Sequence, residues 1–109
     1  MKNAVLIIYT GGTIGMVQDE KETLHPFEMN RIYDALPLLK HAAYQIDSCQ
    51  LNPIIDSSNM KPEVWEKIAQ VIEKEYDNYD GFLVLHGTDT MAYTASALSF
   101  AFENLGKPI

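Results

Sequence analysis

The chain has a single cysteine, Cys49. No internal disulfide can form, and a reducing compartment fits that usage. The flanking Ser48 and Gln50 supply no base or cation to activate a thiolate, so Cys49 reads as a half-buried strand residue, not a nucleophile. Basic residues are scarce too. Eight Lys and Arg stand against fifteen Asp and Glu, a net charge of −7. Nucleic-acid binding needs a basic footprint, and this balance argues against it. Long apolar runs are missing, and those present are far too short to cross a bilayer. No leader-type apolar segment with a small-residue cleavage site follows Met1-Lys2-Asn3, so no membrane attachment is expected and the cytoplasm is the expected location. His25 and His41 show no ligand spacing, and neither a metal nor a cofactor is expected. Repeats and low-complexity segments are lacking as well. What is present is an apolar fraction of 47% in 109 residues, enough for one globular domain with a real core.

The rest of the chain is organised around Thr10-Gly11-Gly12-Thr13-Ile14-Gly15. The preceding Ala4 to Tyr9 is short, apolar and rich in branched side chains, the signature of a strand buried on both faces. A strand that ends in a Gly-Gly turn delivers its next side chain, Thr13, to the carboxyl edge of the sheet, where open α/β sheets bind ligands. The turn lacks the Lys-Ser/Thr ending of a phosphate loop, and its glycines do not fit G-x-G-x-x-G. Spacing alone therefore leaves a structural turn and a catalytic one equally open.

Met16 to Pro26 reads as a polar, solvated flap able to act as a lid. Phe27 to Leu39 follows a helical period that Pro37 would end or kink. Tyr44 to Leu51 alternates as a strand. Asp56-Ser57-Ser58-Asn59 fits either the cap of a following helix or a polar loop at the sheet edge shared with Thr13. Pro62 suits the first position of a helix whose stripe is Val64, Ile68, Ala69, Val71 and Ile72, with Trp65 as a core anchor. Phe82 to Leu85 is a buried strand, and His86-Gly87-Thr88-Asp89-Thr90 is a second strand-to-helix turn. The helix after it, from Met91 to Leu105, is apolar on nearly every side and is expected to be heavily buried, with Gly106 at its C′ position. Lys107-Pro108-Ile109 looks like the approach to a further strand, so the chain reads as part of a longer protein. The order strand, helix, strand, helix, strand, helix predicts a parallel sheet covered by helices.

If the first and last of these strands are neighbours, their turns bring Thr13 near Thr88 and Asp89. Either threonine hydroxyl could form a covalent adduct once its proton is removed. The backbone N–H groups of Gly12 and Thr88 could hold an oxyanion, and Asp89 could orient a base or bind an ammonium group. These parts suit attack on an amide or ester carbonyl. They lack a general base; His86 is the nearest candidate but reads more readily as a structural turn histidine.

The pair Thr10-Gly-Gly-Thr-Ile-Gly15 and His86-Gly-Thr-Asp-Thr-Met91 resembles the bacterial-type L-asparaginases, and the likeness extends through Asp56-Ser57-Ser58 and Ala92 to Phe100, features of the cytoplasmic type I branch. The resemblance implies a three-layer α/β fold, a mostly parallel sheet with helices on both faces (Rossmann-like or flavodoxin-like), of which residues 1–109 form the first part of the N-terminal domain. It implies hydrolysis of L-asparagine through a threonyl acyl-enzyme, with no cofactor and a homo-oligomer, dimer or tetramer, as the assembled form. Thr13 would match the first nucleophile. Thr88 and Asp89 would match two members of a second triad whose Lys lies downstream. Asp56, Ser57 and Ser58 would match the loop for the substrate's α-carboxylate, and Asp89 the partner of its α-ammonium. Gly12 and Thr88 would supply the oxyanion donors. Many members carry a flap Tyr that Lys21 to Pro26 lacks, with Leu24 near its place. The related component of a tRNA-dependent amidotransferase, and a non-catalytic ligand-binding domain on the same fold, are the competing expectations.

Overall fold

A computed structural model describes residues 3–11, 16–18, 21, 24–26, 37–51 and 60–109. The first strand, β1, is Asn3–Tyr9, followed by β2 (Met16–Gln18), β3 (Leu24–Pro26), a short 3-10 helix (Pro37–His41) and β4 (Tyr44–Gln50). Helix α1 (Pro62–Glu75), strand β5 (Gly81–Leu85) and helix α2 (Met91–Ala101) complete the order. The main sheet runs β4-β1-β5, with both neighbours parallel to β1. Counted among these three strands, the order is 2-1-3. The chain leaves β1 toward one side for β4, then crosses back over it through α1 to reach β5. This reversal creates a topological switch point between β1 and β5, and ligands of open α/β sheets bind outside the carboxyl ends of such a pair.

Alternation along β1 divides the core. Leu6 and Ile8 face the larger cluster, with Leu51, Phe82, Val64, Ile68 and Ile72 of α1, and Leu98 of α2. Ile7 and Tyr9 face the other way, against Leu39, Ile46 and Leu85. The central strand is thus buried on both faces, as its unbroken apolar run requires. The α1 stripe buries Val64, Ile68 and Ile72 at four-residue spacing, and Pro62 stands in the first turn, where its missing N–H costs nothing. Just after α1, Tyr76 stacks on Phe82 and Tyr79 meets the same ring edge-on.

Five expectations change. The segment 16–26 is not simply a loop, because β2 and β3 pair antiparallel, Val17 opposite His25. The described part of the helix expected over 27–39 is a 3-10 turn that begins at Pro37, whose ring fits a helix start better than an interior. The N-cap of α1 is Lys61, with no side-chain cap, and not a residue of the polar cluster at 56–59, which lies outside the described residues. Trp65 is half-buried and lies outside the core, because its indole N–H is engaged with Thr94 of α2. The largest change is in α2. It ends at Ala101, and Phe102 leaves it in an extended conformation. The left-handed residue beyond is Asn104 at φ 53°, a conformation that Asn tolerates, so Gly106 is not C′. Only Thr94 and Leu98 of α2 are buried, while Tyr93 is 68% and Phe100 87% exposed. An all-apolar helix needs cover on several sides, and here only one side packs against α1 and the sheet. The expected approach to another strand takes the form of one hydrogen bond: Phe82 N–H of β5 donates to Pro108 O at 3.0 Å.

Candidate active site at the carboxyl edge of the sheet

Three strands end level. Tyr9 of β1 stands opposite Gln50 of β4 on one side and Leu85 of β5 on the other. Hydrogen bonds then tie the first residues of the turns together. Leu51 N–H donates to Tyr9 O at 2.9 Å. Thr10 N–H donates to Leu85 O at 3.1 Å, and the Thr10 hydroxyl donates to the same oxygen at 2.8 Å. Thr10 is almost wholly buried. Gly11 follows at φ 141°, a backbone angle that a side chain would strain, so the turn needs glycine there. The segments after β1, β4 and β5 therefore start from one rim.

Thr88 and Asp89 both lie on that rim, in the turn between β5 and α2, and both are exposed. Thr90 is the N-cap of α2, so the Asp89 carboxylate precedes a helix start, where the dipole favours an anion. Gly12, Thr13, Asp56, Ser57 and Ser58 lie outside the described residues. The strand neighbours on which their meeting with Thr88 depends are nevertheless in place, since β1 pairs directly with β5. The described residues thus show the strand pairing that the site expectation presupposes, with Thr88 and Asp89 in the turn after β5.

His86 takes no general-base position. Its Nδ1 lies 2.5 Å from Gly87 O and its Nε2 2.8 Å from Thr94 Oγ1. Both ring nitrogens are thus engaged within the protein, as expected of a structural turn histidine. Cys49 is half-buried in β4. Burial first, and the Glu75 carboxylate second, push its thiol up, against thiolate chemistry. Among the described residues, no group of three or more His, Cys, Asp or Glu side chains could hold a metal ion. Also among them, no helix is long and apolar enough to cross a membrane.

Sequence reasoning missed Thr10 and Thr94. Each is a buried threonine in an apolar setting, and only the partner across the sheet or on the next element shows what its hydroxyl does. A polar residue at a strand end and another on the buried side of a helix are signals that could have flagged them.

A family model described as asparaginase, N-terminal, matches residues 4–109. The chain belongs to the asparaginase family. It is 48% identical to L-asparaginase 1 of Escherichia coli strain K12 over 110 residues, 99% of this chain and 32% of that protein. A glutamyl-tRNA(Gln) amidotransferase component of Saccharolobus solfataricus is 42% identical over 111 residues, 99% of this chain and 24% of that protein. The crystal structure of L-asparaginase I from Vibrio cholerae superposes with a TM-score of 0.83 at 46% identity, covering 99% of this chain and 32% of that one. This asparaginase-family chain spans about a third of the length of the L-asparaginases it matches.

Proposed function

We propose that the protein acts as an L-asparaginase in the cytoplasm and that these 109 residues carry its nucleophile turn and part of its substrate-binding rim. Thr13 Oγ attacks the side-chain amide carbon of L-asparagine. The tetrahedral oxyanion is held by the N–H groups of Gly12 and Thr88. The C–N bond breaks, the nitrogen takes a proton, and ammonia leaves an ester on Thr13. Water then adds to that ester and releases L-aspartate, returning the proton to Thr13 Oγ. Thr88 and Asp89 belong to the proton-handling group, which a lysine outside this chain completes. Asp89 pairs with the substrate's α-ammonium, and Asp56, Ser57 and Ser58 receive its α-carboxylate. A zwitterionic substrate calls for this combination of an anion with hydroxyl and N–H donors. The assembled enzyme is a homo-oligomer, dimer or tetramer.

The observation that carries the reading is the pair of hydrogen bonds that Thr10 donates to Leu85 O, which fasten the starts of the two turns side by side at the switch point. A single unpaired cysteine agrees with a reducing cytoplasm. Membership of a tRNA-dependent amidotransferase is the second reading, supported by the 42% identical relative. Ammonia release by the full-length protein, with asparagine and glutamine as separate substrates, tests the proposal. Asparagine turnover without any tRNA supports it. Absence of turnover with either free amino acid favours the second reading.

A further inference from the structure

Trp65, Thr94 and His86 come from three different elements, yet their polar atoms form one continuous line. Trp65 Nε1 lies 2.7 Å from Thr94 Oγ1 in the first turns of α1 and α2. Thr94 Oγ1 lies 2.8 Å from Nε2 of His86, the first residue after β5. His86 Nδ1 lies 2.5 Å from the carbonyl oxygen of Gly87. The two ends fix the direction of every hydrogen. An indole N–H can only donate, so Thr94 Oγ1 accepts from Trp65. A carbonyl oxygen can only accept, so His86 Nδ1 carries its proton toward Gly87. In the neutral ring Nε2 is then the acceptor, and the Thr94 hydroxyl donates to it. Thr94 is buried, so its oxygen has no exchange with bulk water to fall back on.

From this line we infer that Trp65, Thr94 and His86 are positioning residues that hold the Gly87 peptide, and with it Thr88 and Asp89, in the orientation the reaction uses. The inference rests on the asparaginase reading for its catalytic consequence. Without Thr94 the Nε2 side of the His86 ring loses this partner, and the Gly87 peptide beside it has no side chain to restrain it. The next two residues are the oxyanion donor and the ammonium partner, so a turn of that peptide displaces both. The line also joins the start of α1, which follows segment 52–59, to the start of α2. One buried hydroxyl thereby ties the first turn of α1 to the turn that carries Thr88 and Asp89.

The test uses the full-length protein with Thr94→Val, which keeps the shape and removes the hydroxyl, and with Thr94→Ser, which restores it. Nitrogen-15 shifts of the imidazole rings report the tautomer, with His86→Gln to assign the signal. Amide exchange of Thr88 and Asp89 reports the turn. The only tryptophan in these 109 residues is Trp65. Its indole N–H resonance, assigned with Trp65→Phe, therefore follows the far end of the line. We expect Thr94→Val to weaken the Nδ1–H tautomer preference by removing the donor to Nε2, to speed exchange at Thr88 and Asp89, and to lower kcat about tenfold, since small misplacements of reacting groups cost that much or more. Thr94→Ser should stay within about twofold of the parent in kcat. If Thr94→Val proves unstable, Trp65→Phe breaks the line at its outer end, and a faster Thr88 exchange is expected there as well. Unchanged tautomer and exchange in folded Thr94→Val overturn the inference, as does an unchanged kcat in an active enzyme. A parent protein that releases no ammonia defeats the asparaginase reading instead, and the tautomer and exchange measurements then decide the positioning role by themselves.

Discussion

Thr10 donates twice to one acceptor, through its backbone N–H and its hydroxyl, and that acceptor is the carbonyl oxygen of Leu85. The two residues are 75 positions apart in the chain. Their contact is the point at which the glycine turn after β1 and the turn carrying Thr88 and Asp89 become one rim. Replacing Thr10 by Val keeps the branched shape and removes the hydroxyl. Leu85 O keeps one donor, so the expected stability loss is only about 1 kcal/mol. Urea unfolding of the variant checks it. A loss well below this amount means that the hydroxyl adds little to the backbone bond.

Thr13→Ala is expected to abolish asparagine turnover in the full-length protein with the fold intact. No thiol or serine in the turn from Thr10 to Gly15 can take over the covalent step. Steady-state ammonia release and circular dichroism are the measurements. Near-normal turnover would transfer the nucleophile to Thr88 or end the enzyme reading.

Asp89→Asn should weaken substrate binding and slow chemistry together. The carboxylate is exposed on the rim, where it can meet a substrate ammonium, and a neutral amide in its place loses on the order of 1–3 kcal/mol of that contact. Both KM and kcat should therefore move. If each stays within about twofold of the parent, Asp89 has no place in the site.

The Tyr79 phenol donates to Asp47 Oδ2 at 2.8 Å, joining the end of the α1–β5 connection to β4. Burial first, then this bond to the carboxylate, push Tyr79 from 10.0 up to about 12. The fold thus favours the neutral phenol, and the unfolded chain ionises at lower pH. The stabilisation is complete below about pH 10 and disappears as pH rises through about 12. Urea midpoints for the parent and Tyr79→Phe should differ at neutral pH and converge across that window. A gap that stays constant with pH would remove the Asp47 contact from the account.

The 109 residues alone are expected to release no ammonia from asparagine. Their lysines are Lys2, Lys21, Lys40, Lys61, Lys67, Lys74 and Lys107, and none lies in either turn. A missing proton-transfer partner costs about 10²–10⁴-fold in rate. Self-association should accompany the lost activity, because Tyr93 and Phe100 of α2 stand in solvent with Met91 and Leu105 nearby on the same apolar segment. Sedimentation velocity, compared with a Phe100→Ser variant, checks this. Robust release dependent on Thr13 would show that the isolated segment holds a complete site.

How much of this was legible beforehand follows from the range of the interactions involved. The strands at 4–9, 44–51 and 82–85 and the helix beginning at Pro62 were readable because their signals are local: an unbroken apolar run, an alternation, a four-residue stripe, a proline. The two motif turns were readable for the same reason, and together they named the family. Sequence could not order the strands. That β1 lies between β4 and β5 is a packing outcome, and the switch point exists only because of it. Nor could sequence assign Trp65, Thr10 or Thr94. Trp65 looked like a core anchor because its position suits the α1 stripe, but its polar atom found a buried hydroxyl on α2. The apolar composition of α2 was plain, whereas how much of it is covered depends on which layers pack against it. Residue types and periods set the local elements and the reactive groups. The partners of the buried hydroxyls were decided by tertiary contact, because a hydrogen bond between residues 75 positions apart leaves no periodic trace in the chain.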